Sequence, residues 1–306
     1  MKVSILGSGV YAKSISTLLR ESNCEIVMWT EKSDVHEVIV KKGIEVTNSF
    51  IDVTNKVDMI FILTGSKFVR SVLEGIAKTV SHSTLIILGS KGILKDGTLM
   101  SSLVEEILPD NPYAILSGPT FAEDIESLNP VGFTVATAKE KDFLMLKKCF
   151  PKARLEYSKD IVAIEMCGTL KNAYAIGSGI IKASGYGPST TCLYITRVLE
   201  EMRTIFEASE LSSTAITSLA GIGDLVLSCT NPTSRNYTLG TMLVNRTKKE
   251  ILIYLESMTV EGYENLKAYV DLFAQKVIST PILSCVHDIV IGSKLPENLI
   301  NVLLGN

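Results

Sequence analysis

The first twenty residues, MKVSILGSGVYAKSISTLLR, constrain the fold most. Val3 to Leu6 is a short apolar run that stops at Gly7, and Ile15, Leu18 and Leu19 then recur at helical spacing, which reads as strand, glycine turn, helix. The turn itself, GSGVYA from Gly7 to Ala12, fits G-x-G-x-x-G/A. Gly7 permits a tight turn, Gly9 lets backbone approach a pyrophosphate, and the small Ala12 lets helix and strand pack closely. Val10 and Tyr11 open the helix whose N-terminus faces the anion. The pattern is short and also fits a purely structural turn.

Further strands are expected at Glu25–Trp29, Met59–Leu63, Leu85–Leu88, Tyr113–Leu116, Val131–Thr137 and Ala153–Tyr157. Amphipathic segments such as Phe68–Val80, Leu99–Leu108 and Lys139–Phe150 lie between them. Alternation of this kind means βαβ units in a doubly wound, mostly parallel Rossmann-type α/β sheet. After Ser158 the texture changes to long 3.6-residue periodicity, with helices expected near 160–182, 189–207, 211–219, 235–246, 247–256, 262–275, 281–291 and 296–304. At 306 residues the chain exceeds what one core usually serves, so two domains are expected: a dinucleotide-binding α/β domain over 1–157 and an all-α domain over 158–306.

Charge narrows the range of partners. The formal net charge is −3 and the basic residues are scattered, so no face is built for nucleic acid. The longest stretch free of charged side chains, Ala183–Thr196, has 14 residues including Gly and Pro, short of the roughly 18 that span a bilayer. Six cysteines without a CxxC read as reduced thiols of a cytoplasmic protein, and the start lacks a signal-peptide core. His36, His82 and His287 have no metal-ligand spacing and read as surface residues; no metal is expected. Small molecules and a second copy of the chain, as a homodimer, are the expected partners.

At the end of the second strand the sequence reads Trp29-Thr30-Glu31-Lys32. An acid there accepts hydrogen bonds from a ribose 2′-hydroxyl and repels a 2′-phosphate, which favours NAD over NADP. Lys32 could offset that charge, and both residues also read as solvated turn charges. Lys171 and Asn172 sit on an otherwise apolar helical run, where desolvation would lower the lysine pKa and suit it to proton transfer; an exposed helix stripe is the plainer reading. In LSGPTFAED, Thr120 has capping-box spacing to Glu123, and Lys91 in GSKGI follows a strand end. The stretch SLAGIGDLVLSCTNPTSRN gathers glycines, an acid and Ser-Arg-Asn, a mixture suited to holding a small polar ligand.

Taken in order, GSGVYA, SKGI, LSGPTFAED, the Lys171-Asn172 run, YITRVLEEM, AGIGDLVLSCTNPTSRN and VEG resemble the motifs of the NAD(P)-dependent glycerol-3-phosphate dehydrogenase family over nearly the whole chain. The resemblance implies reversible hydride transfer between a nicotinamide and C2 of dihydroxyacetone phosphate, giving sn-glycerol 3-phosphate, a glycerophospholipid precursor. It implies Lys171 as proton donor and acceptor, with Lys91 and Asp224 holding and polarising the substrate. Gly118 and Thr120 fall on the substrate side, and Ser234, Arg235 and Asn236 on its phosphate. The cofactor side takes Gly7, Gly9, Val10, Tyr11, Ala12, Glu31, Lys91, Ala122, Arg235 and Glu261.

The chain departs from the pattern in Ala12, in Glu31 where relatives often carry Arg, in a short segment between Lys32 and Asp58, in TGSK at 64–67, in PSTT at 188–191 and after VEG. Two other readings compete. One is a β-hydroxyacid or ketopantoate reductase, which gives no reason for Ser-Arg-Asn after the Gly-Asp turn. The other is a non-catalytic dinucleotide sensor, against which stand Lys171, Asp224 and Arg235.

Overall fold

Val3, Ile5 and Leu6 are fully buried, so the first strand is central and not an edge. The computed structural model describes residues 1–31, 39–40 and 43–305, and the expectations placed on Lys32 and His36 lie outside them. Contacts divide the chain into a first unit, residues 1–91 and 98–165, and a second unit, residues 92–97 and 166–306.

The first unit holds an eight-stranded sheet among the described residues: β1 Lys2–Leu6, β2 Glu25–Trp29, β3 Glu45–Thr47, β4 Met59–Ile62, β5 Leu85–Leu88, β6 Tyr113–Ser117, β7 Val131–Thr137 and β8 Ala153–Ser158. Its order is β3-β2-β1-β4-β5-β6-β7-β8. Neighbours run parallel except β6 and β7, which are antiparallel. β1 lies between β2 and β4, with Leu6 opposite both Trp29 and Ile62, so the glycine turn leaves the sheet where strand order reverses. Around the sheet lie α1 Val10–Arg20, α2 Phe50–Thr54, α3 Val69–Ile76, α4 Met100–Ile107, α5 Ala122–Glu126 and α6 Glu140–Lys147. The core joins Ile15 and Leu18 of α1 to strand residues Val3, Ile5, Phe61 and Phe133 and to Phe150.

Two elements of this unit, β3 and α2, have no counterpart in the sequence reading, being only three and five residues long. The helix expected over 68–80 shrinks to a 3₁₀ turn at Ser66–Phe68 and α3, which stops at Ile76.

The second unit contains the greater part of α7 Ile161–Ala183, then α8 Pro188–Ala208, α9 Asp224–Thr230, α10 Arg235–Asn245, α11 Lys248–Ser257, α12 Glu261–Gln275, α13 Pro281–Val290 and α14 Asn298–Leu304. The helix expected over 211–219 is instead a 3₁₀ turn, Ser213–Thr217, followed by a π turn, Leu219–Gly223, which runs straight into α9. Gly221 and Gly223 both fall within the π turn.

A buried glutamate in each unit closes a distant helix end. Glu165 accepts from the N–H groups of Met100 (2.7 Å) and Ser101 (3.2 Å) at the start of α4. Glu201 accepts from Ile282 (2.7 Å) and Leu283 (3.0 Å) at the start of α13 and from the Tyr174 hydroxyl (2.9 Å). These carboxylates supply caps that α4 and α13 lack locally, since neither has a side-chain cap of its own.

α12 ends in a Schellman motif: Val277 N–H bonds Ala274 O at 3.0 Å and Ile278 N–H bonds Phe273 O at 2.8 Å. The left-handed position falls on Val277, φ 57°, whose side chain is 90 % exposed. A β-branched residue is strained there and packs on nothing that would repay it. Val277→Gly is expected to raise the unfolding free energy by about 1 kcal/mol in urea titration.

Burial pushes the Glu165 carboxyl up from 4.5 to about 7, outweighing the N–H groups that favour its charge. The folded state therefore holds a proton that the unfolded chain has released, and this contribution, complete below about pH 4.5, is lost as pH rises to about 7. Wild-type stability is expected to fall through that window by up to about 3 kcal/mol relative to Glu165→Gln, which keeps an acceptor but does not titrate. Urea midpoints for both proteins across the window check this.

Candidate active site

α7 carries Lys171 at a half-buried position amid apolar neighbours. Its Nζ donates to Asp224 Oδ1 at 2.8 Å and to Ser228 Oγ at 2.8 Å. Asp224 and Ser228 lie four residues apart on α9, hence on one face of that helix. Side-chain exposure is 12 % for the lysine and 2 % for the aspartate, so this is a buried ion pair. The lysine on its largely apolar run is thus met by a carboxylate from another helix. Cys229, next to Ser228, is pushed up to about 12, first by burial, and stays a thiol.

Asn172, the next residue of α7, begins a second network. Its Nδ2 donates to Glu261 Oε2 at 3.1 Å, and its Oδ1 accepts from Asn236 Nδ2 at 3.0 Å. Asn236 Oδ1 in turn accepts from Gly262 N–H at 2.9 Å. A side chain on Gly262 would place its Cβ 2.4 Å from Asn172 O and 2.6 Å from Asn236 Oδ1, so VEG contributes an acid and a close approach together. The bond between Asn172 and Asn236 brings together the neighbours of Lys171 and Arg235.

Ser234 caps α10, its Oγ accepting from Tyr237 N–H at 3.4 Å. Asn236 is also hydrogen-bonded inside the protein, so both side chains expected at the phosphate have protein partners. Arg235 is exposed, and its guanidinium has no partner among the described residues. Its own carbonyl accepts from Tyr254 hydroxyl at 3.0 Å. A guanidinium beside an incompletely capped helix N-terminus suits an anion.

In the first unit, Gly7 has φ +125°, and a Cβ there would stand 2.7 Å from Leu63 O. Gly9 has open space where a side chain would be, and as N-cap of α1 it offers no side chain to the helix N–H groups. A pyrophosphate fits such a bare, backbone-lined terminus. Val10 is exposed, Tyr11 half-buried and Ala12 fully buried against the sheet. Ser8 Oγ lies 2.8 Å from Thr30 Oγ1, tying the turn to the end of β2, where Glu31 is exposed.

Lys91 is half-buried after β5, and Gly118 is buried against Gly132 O, 2.4 Å from an added Cβ. Thr120 is not a cap: α5 starts at Ala122 behind Phe121, and the Thr120 hydroxyl is buried without a hydrogen-bond partner among the described residues. With Phe121 at the N-cap and no side-chain cap hydrogen bond, the expected capping box with Glu123 is absent.

Ser228 is the member of the Lys171 network that sequence reasoning passed over. Its signal was the four-residue spacing from Asp224, hidden because AGIGDLVLSCT reads as a turn. No cluster of potential metal ligands occurs among the described residues. His82 is exposed beside Asp110, whereas His287 is half-buried with Nδ1 3.3 Å from Asp288, which corrects its reading as a surface residue.

Residues 2–143 match the model of the NAD-dependent glycerol-3-phosphate dehydrogenase N-terminus, and residues 160–301 that of the C-terminus of the same family. The chain is 28 % identical to the glycerol-3-phosphate dehydrogenase [NAD(P)+] of Syntrophotalea carbinolica, over 99 % of this chain and 97 % of that protein. It is 29 % identical to the enzyme of the same name from a Geobacter species, over 96 % and 93 %. Among solved structures, glycerol-3-phosphate dehydrogenase from Coxiella burnetii aligns with TM-score 0.92 at 25 % identity, covering 100 % of this chain and 99 % of that one. With both halves matched in order and the relatives aligned from end to end, the chain belongs to the NAD-dependent glycerol-3-phosphate dehydrogenase family.

Proposed function

We propose that the chain catalyses reversible hydride transfer between a nicotinamide dinucleotide and C2 of dihydroxyacetone phosphate, forming sn-glycerol 3-phosphate for glycerophospholipid synthesis. The observation that carries the chemistry is Lys171, held at 2.8 Å by both Asp224 and Ser228. As a hydride reaches C2, charge grows on the attached oxygen, and Lys171 gives that oxygen its proton; in reverse it takes the proton back. Asp224 keeps a counter-charge beside the nitrogen throughout and so favours return of the proton after turnover.

For Lys91 the family resemblance supports a role in holding and polarising the substrate, an interaction that strengthens only as charge forms. Arg235, with the N–H groups opening α10, grips the phosphate; Ser234 and Asn236 act by setting that helix start, and Gly118 and Thr120 belong to the substrate side. Gly7, Gly9, Val10, Tyr11 and Ala12 hold the pyrophosphate, with Ala122, Arg235, Lys91 and Glu261 as further cofactor contacts. The bound cofactor supplies or accepts the hydride. Both competing readings give way: the reductase type leaves Arg235 without a phosphate, and a silent sensor leaves the buried ion pair without a use. No helix among the described residues is long and apolar enough to cross a membrane. A cytoplasmic homodimer is the assembly we propose, from the reduced cysteines and the apolar helical half.

Lys171→Ala is expected to lower kcat for dihydroxyacetone phosphate reduction at least ~100-fold, the lower end of general acid catalysis, as measured by NADH oxidation. Circular dichroism on the same sample separates this from unfolding, because removing the lysine strands the buried Asp224 charge. Full activity in a folded variant would refute the role.

Glu31 at the ribose predicts a higher kcat/KM with NADH than with NADPH. Glu31→Arg is expected to shift that ratio toward NADPH on the order of tenfold, by exchanging repulsion of a 2′-phosphate for a guanidinium fork.

A further inference from the structure

Two cysteines far apart in sequence meet in the first unit. Cys24 stands in the turn between α1 and β2, directly after Asn23, whose φ is 56°. Cys149 follows α6 and is fully buried in the sheet core. Their sulfurs are 3.6 Å apart, with Ser22 Oγ 3.0 Å from Cys24 Sγ. Cys24 is half-buried and lines an open cleft of 590 Å³ with Arg20, Asn23, Glu25 and Ile44. One thiol therefore faces solvent and the other waits behind it. The pair sits at the start of β2, about 17 Å of strand from the end that carries Glu31, so catalysis gives it no task.

We propose that Cys24 and Cys149 are an oxidation site, which a small-molecule disulfide converts to an intramolecular disulfide that staples the entry of β2 to the end of α6. Cys24, the accessible thiol, loses its proton and attacks one sulfur of the oxidant, whose disulfide breaks and releases one thiolate. Cys149 then gives up its proton and attacks the Cys24 sulfur, releasing the second thiolate. Two cysteine thiols are oxidised, and one external disulfide is reduced to two thiols. The sulfurs must close from 3.6 Å to about 2.05 Å, a shift the exposed turn can supply while Cys149 stays fixed in the core. Burial, with Cys24 beside it, pushes the Cys149 thiol well up, which makes it the second and slower partner. The bridge closes a loop of more than a hundred residues, long enough to restrict the unfolded chain strongly.

The exposed Cys192 reacts with any disulfide, so the test uses the full chain carrying Cys192→Ser, in which five of the six cysteines remain. After incubation of the folded protein with oxidised glutathione, titration under denaturing conditions is expected to find three thiols, no retained glutathione and a peptide cross-link joining Cys24 to Cys149. The urea midpoint is expected to rise and to return on reduction with dithiothreitol. Adding Cys149→Ser, or Cys149→Ala to keep the site apolar, is expected to arrest the reaction with glutathione held on Cys24. Persistence of five thiols, glutathione retained on Cys24 while Cys149 is present, or a cross-link to another cysteine overturns the site. A Cys24–Cys149 bond that leaves the midpoint unmoved overturns the staple.

Discussion

The ion pair between Lys171 and Asp224 sets the terms for the second unit. Taking two charges out of water costs several kcal/mol each, and their attraction repays this only with short, well-directed contacts and further hydrogen bonds. Both conditions hold: the contact is 2.8 Å, and Ser228 takes a second N–H of the same ammonium. Delivering Asp224 to that place explains the odd texture of residues 218–230. Ser218 Oγ accepts from Gly221 N–H at 3.1 Å to start the π turn, and the turn sets Asp224 as the first residue of α9. The Asn172–Asn236–Gly262 chain then ties α10 and α12 to the same helix that carries the lysine.

How each helix N-terminus is satisfied separates structure from binding. The positive end of a helix attracts an anion wherever its N–H groups are not already served. α4 and α13 are served by Glu165 and Glu201, buried carboxylates from elsewhere in the chain, and their ends are closed. α12 begins with Glu261, whose carboxylate is turned to Asn172. α1 begins at Gly9 with no side-chain cap, and α10 has one hydroxyl for its first turn and an exposed arginine beside it. α1 and α10 are among the helix starts left without a carboxylate, and they are the ones we propose for a pyrophosphate and a phosphate ester.

Much of the fold was legible because periodicity reports burial directly. Strands such as Met59–Ile62 and Leu85–Leu88 are four apolar residues, every one buried, and α7 matches its expected span within a residue at each end. What escaped was structure held by contacts that a local window does not contain. α2 has a serine cap at Ser49 but only five residues, and α9 starts on a glycine in a π turn that local propensity scores as loop. The site was readable as residue types and not as pairings. That Asp224 bonds Lys171, or that Asn236 bonds Asn172, depends on residues 53 and 64 positions apart meeting. Thr120 shows the opposite error, since spacing suggested a cap that Phe121 occupies.

The positions where the chain leaves the family pattern also have a physical reading. Among the departures, Glu31, Lys67, Pro188 and Ser189 are exposed, as are Tyr263 and Glu264 after VEG, whereas Ala12 and Ser66 are buried; Lys171, Asn172, Asp224, Ser234 and Asn236 are partly or wholly buried and hydrogen-bonded. Exchanging an exposed loop residue leaves no partner behind, so it costs little stability. Exchanging one member of a buried polar pair strands the other, at about 1 to 3 kcal/mol or more for a charge. Lys171, the group proposed for proton transfer, is held by the same contacts that hold the helices.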